Sequence, residues 1–260
     1  MHFCERKTVI AKDPRASESN HWYTRDGTPM YTVEAAKGGQ RATTLRDARK
    51  LNLVPSVTTV LSVAAKPGLT QWMQKQVLLA ALTLPRMAGE PEDEFIARII
   101  NDSKEQARAA ADAGTDIHAS IQGFYEGQQV SKHREHIEGC TKAIHDAFGY
   151  HGWISERPFA HEIGFGGKVD LHSPQGVVID IKTKEFTDSD KVDAYDEHLM
   201  QLAAYRVGLG MPEARCANVF VSRSVPGLSK LIEWSPEDLA RGWKMFTALL
   251  NYWQLKNQHQ

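Results

Sequence analysis

The residues of this sequence best suited to chemistry are two aspartates and a lysine: Asp170, Asp180 and Lys182. The segment around Asp180 is apolar and predicts a β-strand, in which successive side chains point to opposite faces. Asp180 and Lys182 therefore share one face, while Ile179 and Ile181 occupy the other. Two charges on one face of an otherwise apolar strand are costly unless that face forms a site.

These residue types predict metal-assisted chemistry at phosphorus. Carboxylate oxygens bind Mg²⁺ or Mn²⁺, which keep several waters and take further ligands from substrate phosphate. Such a metal activates water and neutralises the charge that develops at phosphorus, and a nearby lysine stabilises the same charge. The alternative is a surface hairpin with solvated charges, and the tripeptide Asp180–Lys182 taken alone favours it. The segment Gly166–Asp170 (GGKVD) one strand earlier shifts the preference to a site.

The turn between the two acidic segments predicts how they pair. Ser173–Gly176 (Ser-Pro-Gln-Gly) suits a type I turn with a left-handed glycine, which makes a three-residue hairpin loop with a bulge. Its first residue then pairs with Val177, and Asp170 lies opposite Asp180. Like charges across a ladder are destabilising, and a bound divalent cation reverses the sign of that effect. A two-residue loop would instead put the two aspartates on opposite faces.

The elements that must position these residues follow from hydrophobic periodicity and capping signals. Ser56 caps a short helix after Pro55, and Ser235 caps the last helix, which runs to about residue 256. The pattern predicts helices over residues 70–84, 92–127, 132–148 and 192–208, and strands over 154–163, 167–172, 177–183, 217–222 and 228–234. This order indicates a mixed α/β fold. We divide it into an irregular segment (1–54), a helical lobe packed on the core (55–150), and the core sheet and helices (151–260).

Composition and charge narrow the functional classes. The chain has 260 residues, of which 42% are hydrophobic and 24% charged, and this usage excludes a disordered or fibrous protein. Lys and Arg total 31 and Asp and Glu total 32, so a surface for nucleic acid must be local. We expect no membrane span and no secretory signal. The three scattered cysteines form neither a disulfide framework nor a CxxC metal site, so we expect a reducing, cytoplasmic location.

Further motifs complete a resemblance to a known family. Gly114–His118 (GTDIH) resembles a GTxxH helix motif, Gln201–Tyr205 (QLAAY) a QxxxY motif, and Glu156 the glutamate of a first core strand. The front segments 55–58 (PSVT) and 69–72 (LTQW), and the pair Glu156 and Glu162, resemble the same group. Together with Asp170 and the tripeptide Asp180–Lys182, they resemble the RecB-like exonuclease branch of the PD-(D/E)XK nuclease superfamily. The likeness is to the group of the mitochondrial genome maintenance exonuclease and its phage relatives, over about residues 55 to 209.

The resemblance implies a fold, a metal and a substrate. The fold is the restriction-endonuclease-like core (αβββαβ) with a mixed central sheet, to which the helix carrying His118 belongs. The metal, Mg²⁺ or Mn²⁺, is held by His118, Asp170, Asp180 and the backbone carbonyl of Ile181. Lys182 positions or activates water, and the other catalytic residues implied are Asp170, Asp180, Gln201, Tyr205 and Glu156. The substrate is DNA, single-stranded or with free ends, cut to a 5′-phosphate. No iron–sulfur cluster is expected, because the three cysteines are not clustered.

Each outlying motif has a structural alternative. His118 adjoins a predicted buried stripe of Ile117, Ile121 and Phe124, where a histidine is often a core residue. Gly114 favours the ligand interpretation, since a mid-helix glycine costs about 1 kcal/mol against alanine and indicates a close approach. Gln201 and Tyr205 share a helix face, and their alternative is packing.

Several charged and aromatic residues also have both a functional and a structural interpretation. Glu162 is a possible solvated strand position, Lys168 is expected to be exposed, and Lys184 adds positive charge beside the site. The tryptophans Trp22, Trp72 and Trp153 either stack bases of single-stranded DNA or pack in the core, and packing is favoured.

Three functional alternatives to the exonuclease stay open. The first is a structure-specific DNA endonuclease of the same superfamily. The second is a catalytically idle DNA-binding or recombination accessory protein, against which the intact Asp170, Asp180 and Lys182 argue. The third is a structural α/β protein, which the near-neutral charge supports.

Overall fold

A five-stranded mixed sheet organises residues 21–260, the part of the chain that the computed structural model describes. The elements before the sheet are β1 (Trp22–Tyr23), β2 (Thr32–Glu34), β3 (Gln40–Ala42), α1 (Leu45–Leu51), β4 (Val54–Pro55), α2 (Val57–Leu61), α3 (Pro67–Thr83), α4 (Glu92–Tyr125) and α5 (Arg134–Phe148). The sheet and its helices are β5 (Ile154–His161), β6 (Phe165–Ser173), β7 (Val177–Lys184), α6 (Asp196–Gly208), β8 (Arg215–Ser222), β9 (Ser229–Trp234) and α7 (Pro236–Asn257). The mixed α/β prediction is confirmed.

The sheet has the order β5-β6-β7-β8-β9. Neighbouring strands are antiparallel except β7 and β8, which are parallel because the crossover helix α6 joins them. Two hydrophobic cores cover its faces. The first core lies between the sheet and α2, α6 and α7, and includes Val169, Val178 and Leu199. The second core lies between the sheet and α4 and α5, and includes Leu171, Ile179 and Ile181.

The segment before residue 55 is more regular than its polar sequence indicates. It contains α1, whose N-cap Thr44 and third helical residue Asp47 form a capping box. Strand β1 pairs with β4, and β2 pairs with β3. The segment predicted as irregular thus contains one helix and two short strand pairs within residues 21–55, and the remainder of it lies outside the described residues.

Three helix predictions need correction. Helix α3 begins at Pro67 rather than Thr70, because proline is favoured in the first turn. Helix α6 begins at Asp196 rather than Val192, which is buried in a small cluster with Phe186 and Phe220. In α4, Ile117 and Ile121 are buried but Phe124 is 47% exposed, so the predicted buried stripe ends one turn early.

Helix α3 and the N-terminal half of α4 form a helical arm. Within this arm, α3 packs mainly on α4. Many apolar side chains of α3 stay exposed: Leu69, Trp72, Met73, Val77, Leu78, Leu79 and Leu82. The start of α3 meets the start of α6, where Gly68 lies against the Tyr195 ring and Lys66 pairs with Glu197 at 3.4 Å. The base of the arm is thus tied to the core sheet's crossover helix.

Two buried thiols should be inert. Cys140 and Cys216 are fully buried, and burial raises the pKa of each thiol to about 12. Because the thiolate is the reactive form, we expect neither to react with a disulfide reagent in a folded Cys4→Ser variant at pH 8. Both should react at once in urea. Reaction of either thiol in the folded variant at the rate of a small free thiol would contradict the burial described here.

Candidate functional site

The hairpin of β6 and β7 has the predicted loop and register. Gly176 is left-handed with φ of 92°, and its N–H donates to the Ser173 carbonyl at 3.0 Å. Ser173 pairs with Val177, and the pairing continues to Leu171 opposite Ile179. The three-residue loop is therefore confirmed, and the two-residue alternative is excluded.

The ladder stops where the two aspartates would pair next. Val169 packs in the first core but Leu171, two residues later, packs in the second. Since residues two apart in a regular strand share a face, β6 switches faces at Asp170. The N–H of Ile181 donates to Asp170 Oδ2 at 2.8 Å. The prediction of a regular pair between Asp170 and Asp180 is thus corrected: the register is right, but a side chain replaces the backbone partner.

The neighbouring strand is distorted at the same level. Glu156 on β5 has φ of 54°, and the pairs flanking it place it across from Asp170. A left-handed conformation is uncommon for a non-glycine residue and costs free energy unless its surroundings hold it. The distortion and the interrupted β6–β7 ladder coincide, so the sheet is locally opened at the carboxylates.

Helix α4 brings His118 to this opening. His118 Nε2 lies 3.3 Å from Asp170 Oδ2. One turn earlier, Gly114 faces β7 so closely that an added Cβ would collide with Thr183 Oγ1. The close approach that a mid-helix glycine predicts is therefore confirmed, and it is what lets α4 present His118 to Asp170.

His118 and Asp170 stabilise opposite charges. Burial disfavours a charge on His118, but attraction and hydrogen bonding to Asp170 outweigh it and raise the pKa of His118 to about 9. Burial also opposes ionisation of Asp170, but His118, Lys182 and the Ile181 N–H together lower the pKa of that carboxyl. A positive charge on the imidazole thus stabilises the Asp170 carboxylate, as a bound metal cation would.

Asp180 is the most deeply buried acid of the site. Its residue is 0% exposed. Oδ1 accepts from Lys182 Nζ at 2.9 Å, and Oδ2 accepts from Asn218 Nδ2 at 2.8 Å. Burial, only partly offset by Lys182 and increased by Asp170, raises the pKa of Asp180 to about 6. The predicted common face of Asp180 and Lys182 is confirmed, with Ile179 and Ile181 in the second core.

The donor set fits a hard divalent cation in chemical type. It offers two carboxylates and an imidazole, of which Asp170 and His118 are in contact, and the repulsion between the two buried carboxylates is a cost that a cation removes. Within residues 21–260, no three His, Cys, Asp or Glu side chains are already grouped as a metal cage. Their lone pairs are instead used by protein donors, including Lys182 and the Ile181 N–H.

The other predicted site residues, Glu156, Gln201 and Tyr205, have partners of their own. Glu156 forms an ion pair with Lys168, whose side chain is 39% exposed. Gln201 Nε2 donates to Tyr205 Oη at 2.8 Å, and both residues are buried. Gly167 admits the Tyr205 ring, since an added Cβ would lie 3.0 Å from Cε1.

Several peripheral predictions are settled by exposure. Glu162 is exposed, as the solvated interpretation predicts, but it lies in the turn after β5 rather than in the strand. Trp22 is buried and Trp153 packs against Tyr125, as the packing interpretation predicts. Trp72 on the arm is 37% exposed.

Sequence reasoning missed four residues near the centre: Asn218, His198, Tyr195 and Lys66. Asn218 had a signal, because it is a single polar residue inside the apolar strand β8. Its parallel pairing with Asp180 places both side chains on one face. His198 and Tyr195 had no such signal in the sequence, since only the packing of α6 against β7 and α3 brings them close to Lys66, Lys182 and Lys184.

His198 is expected to make stability depend on pH. Its Nδ1 accepts from the Tyr195 N–H at 3.1 Å. Burial and the charges of Lys182, Lys184 and Lys66 lower the pKa of His198 to about 3. In an unfolded chain its pKa is about 6.5, so between these values the unfolded state binds more protons. Its contribution is therefore complete above pH 6.5 and is lost as pH falls toward 3.

His198→Gln tests this dependence. Glutamine at the third helical position keeps an acceptor for the backbone N–H but does not titrate. We expect its free energy of unfolding to fall less steeply than that of the wild type between pH 7 and 4, as measured by urea titrations. All other titrating groups are shared by the two proteins, so equal slopes would refute the lowered pKa.

Comparisons with known proteins yield distant structural likenesses. No family model and no curated protein matches the sequence. Among solved structures, it is similar to an alkaline exonuclease (LHK-Exo) from Laribacter hongkongensis, at 13% identity and a TM-score of 0.37, covering 78% of this chain and 89% of that chain. It is also similar to LHK-Exo in complex with dAMP, at 14% identity and a TM-score of 0.36, covering 78% of this chain and 87% of that chain. A third similar structure is SSO0001, at 14% identity and a TM-score of 0.29, covering 70% of this chain and 86% of that chain. No helix among residues 21–260 is both long and apolar enough to cross a membrane.

Proposed function

We propose that the protein is a Mg²⁺- or Mn²⁺-dependent deoxyribonuclease that hydrolyses phosphodiester bonds from single-stranded DNA ends. One observation carries the proposal. Where β6 and β7 separate, His118 and Asp170 meet at 3.3 Å and Asp180 meets Lys182 at 2.9 Å. A buried pair of carboxylates with an imidazole and an ammonium group has a high electrostatic cost, which is typical of functional sites.

The metal would be held by His118, Asp170, Asp180 and the carbonyl of Ile181. When bound, it supplies Lewis acidity toward a phosphoryl oxygen and lowers the pKa of a bound water. These ligands come from α4, β6 and β7, three elements that the two hydrophobic cores hold rigidly. Rigid placement matters because catalytic groups must hold their geometry while charge develops.

The remaining side chains act on substrate and water. Lys182 is 30% exposed, so its ammonium group is accessible to a substrate while it contacts Asp180, and it stabilises charge on the scissile phosphate. Gln201 and Tyr205, bonded to each other, orient the phosphate or the attacking water. Glu156 holds water from the β5 side.

A local concentration of lysines favours a polyanion despite the neutral overall charge. Lys66, Lys182 and Lys184 all act on His198, so three positive charges surround one end of the site. Phosphate backbones bind such clusters through charge. The helical arm stands beside them and keeps Trp72 exposed, which suits stacking on an unpaired base. We therefore propose that the arm admits a single strand and selects ends.

The proposal is tested with 5′- and 3′-labelled DNA in single-stranded and duplex form. We expect release of short products from single-stranded ends with Mg²⁺ or Mn²⁺, and none with EDTA. Circular single-stranded DNA should remain intact. Cleavage of the circle would replace the exonuclease with the endonuclease alternative. No hydrolysis of any substrate with either metal would favour the idle DNA-binding alternative.

A further inference from the structure

A buried amide joins the candidate metal ligand Asp180 to strand β9. Asn218 is 0% exposed and lies beside Asp180 on the parallel strand β8. Its Nδ2 donates to Asp180 Oδ2 at 2.8 Å, and its Oδ1 accepts from Trp234 Nε1 at 2.8 Å. The three side chains thus form one continuous chain of hydrogen bonds beneath the site.

Chemistry decides which way the amide faces. An indole N–H can only donate, so the Asn218 atom that faces Trp234 must be its oxygen. The NH₂ group then has to face Asp180, and it can only donate to that carboxylate. The tryptophan therefore fixes the amide, and the amide presents a donor to Oδ2.

The two donors to Asp180 differ in mobility. Lys182 is 30% exposed and carries a flexible stem, whereas Asn218 is fully enclosed. When Lys182 turns toward a substrate phosphate, the bond from Asn218 still sets the plane of the carboxylate. A carboxylate held by one donor at each oxygen keeps further lone pairs for a cation.

We propose that Asn218, oriented by Trp234, is a positioning residue that aims the Asp180 carboxylate at the divalent cation. This inference rests on the proposed function, because that function supplies the metal. Neither residue touches substrate, so both act through Asp180. Partners that orient a metal ligand in this way typically contribute 10- to 100-fold in metal affinity or activity, in order of magnitude.

Mn²⁺ binding without DNA is the primary readout. The concentration of free Mn²⁺ is followed by electron paramagnetic resonance in the wild type, Asn218→Ala and Trp234→Phe. We expect the dissociation constant to rise about tenfold or more in Asn218→Ala and by a smaller factor in Trp234→Phe. Trp234→Phe keeps an aromatic ring packed against the first core, so it remains informative if Asn218→Ala fails to fold.

Ser222→Ala is the matched control. Ser222 is equally buried on the same strand, and its Oγ donates to the Phe186 carbonyl at 2.6 Å rather than to the site. Its loss should lower the melting temperature, as the loss of a buried hydrogen bond does, while the Mn²⁺ dissociation constant stays within about twofold.

In activity assays, KM for DNA should not change in the Asn218 and Trp234 variants.

The outcomes separate this inference from the proposed function. If the folded Asn218 or Trp234 variants bind Mn²⁺ as tightly as the wild type, the inference is overturned and the nuclease proposal stands. If both weaken Mn²⁺ binding but no protein hydrolyses DNA, the inference holds and the nuclease proposal fails. A wild-type protein that binds no Mn²⁺ overturns the inference directly.

Discussion

Replacing Asp180 by asparagine is expected to lower DNA hydrolysis by about a thousandfold or more. Asparagine has nearly the same volume, but it removes the charge that would hold the metal and breaks the ion pair with Lys182. Lewis-acid stabilisation is worth several kcal/mol, and each 1.36 kcal/mol is about tenfold in rate. Initial rates on labelled single-stranded DNA with saturating Mg²⁺ measure the loss.

The same substitution should leave the fold intact. Removing the charge relieves the desolvation cost of a fully buried carboxylate, but asparagine has one acceptor oxygen for the two donors Lys182 and Asn218. We therefore expect a cooperative unfolding transition with a moderately lower melting temperature. Glu162→Gln, the same chemical change at an exposed turn, should keep full activity. Hydrolysis by folded Asp180→Asn at the wild-type rate would end the assignment of a site to these carboxylates.

Gly114→Ala is expected to lower activity about a hundredfold although it lies away from the chemistry. The added methyl group would collide with Thr183 Oγ1, and we expect α4 to yield by moving from β7 and carrying His118 away from Asp170. A displacement of about 1 Å can cost this much in rate. We also expect the melting temperature to fall. This direction is distinctive, because alanine at an unconstrained helix position is more stable than glycine by about 1 kcal/mol.

Thr183→Ala should rescue the Gly114 variant. The Thr183 Cβ lies 3.6 Å from the position of the added methyl group, so removing only the hydroxyl and methyl branches leaves an ordinary contact. We expect the double variant to recover most of the rate and melting temperature, and Thr183→Ala alone to stay near the wild type. A Gly114→Ala protein that is fully active and more stable would show that the close approach has no role.

The sequence by itself determined the local parts of the fold. Alternation around Asp180 predicts which side chains share a face, and Ser173–Gly176 predicts the hairpin loop, because both depend on residues that are neighbours in the chain. Ser56 and Ser235 each cap a helix as predicted, since their partners lie three residues away. The glycine at 114 predicts a close approach, though not to which residue.

Only the tertiary structure decided how the site is held together. The hydrogen bond from the Ile181 N–H to Asp170 replaces a ladder pair that the hairpin register predicts. The ladder is interrupted where β6 switches from packing in the first core to packing in the second. Asn218 and Trp234 reach Asp180 through the β7–β8 and β8–β9 pairings. These contacts join residues far apart in the chain, and their geometry follows from how the helices and strands pack, which no local pattern encodes.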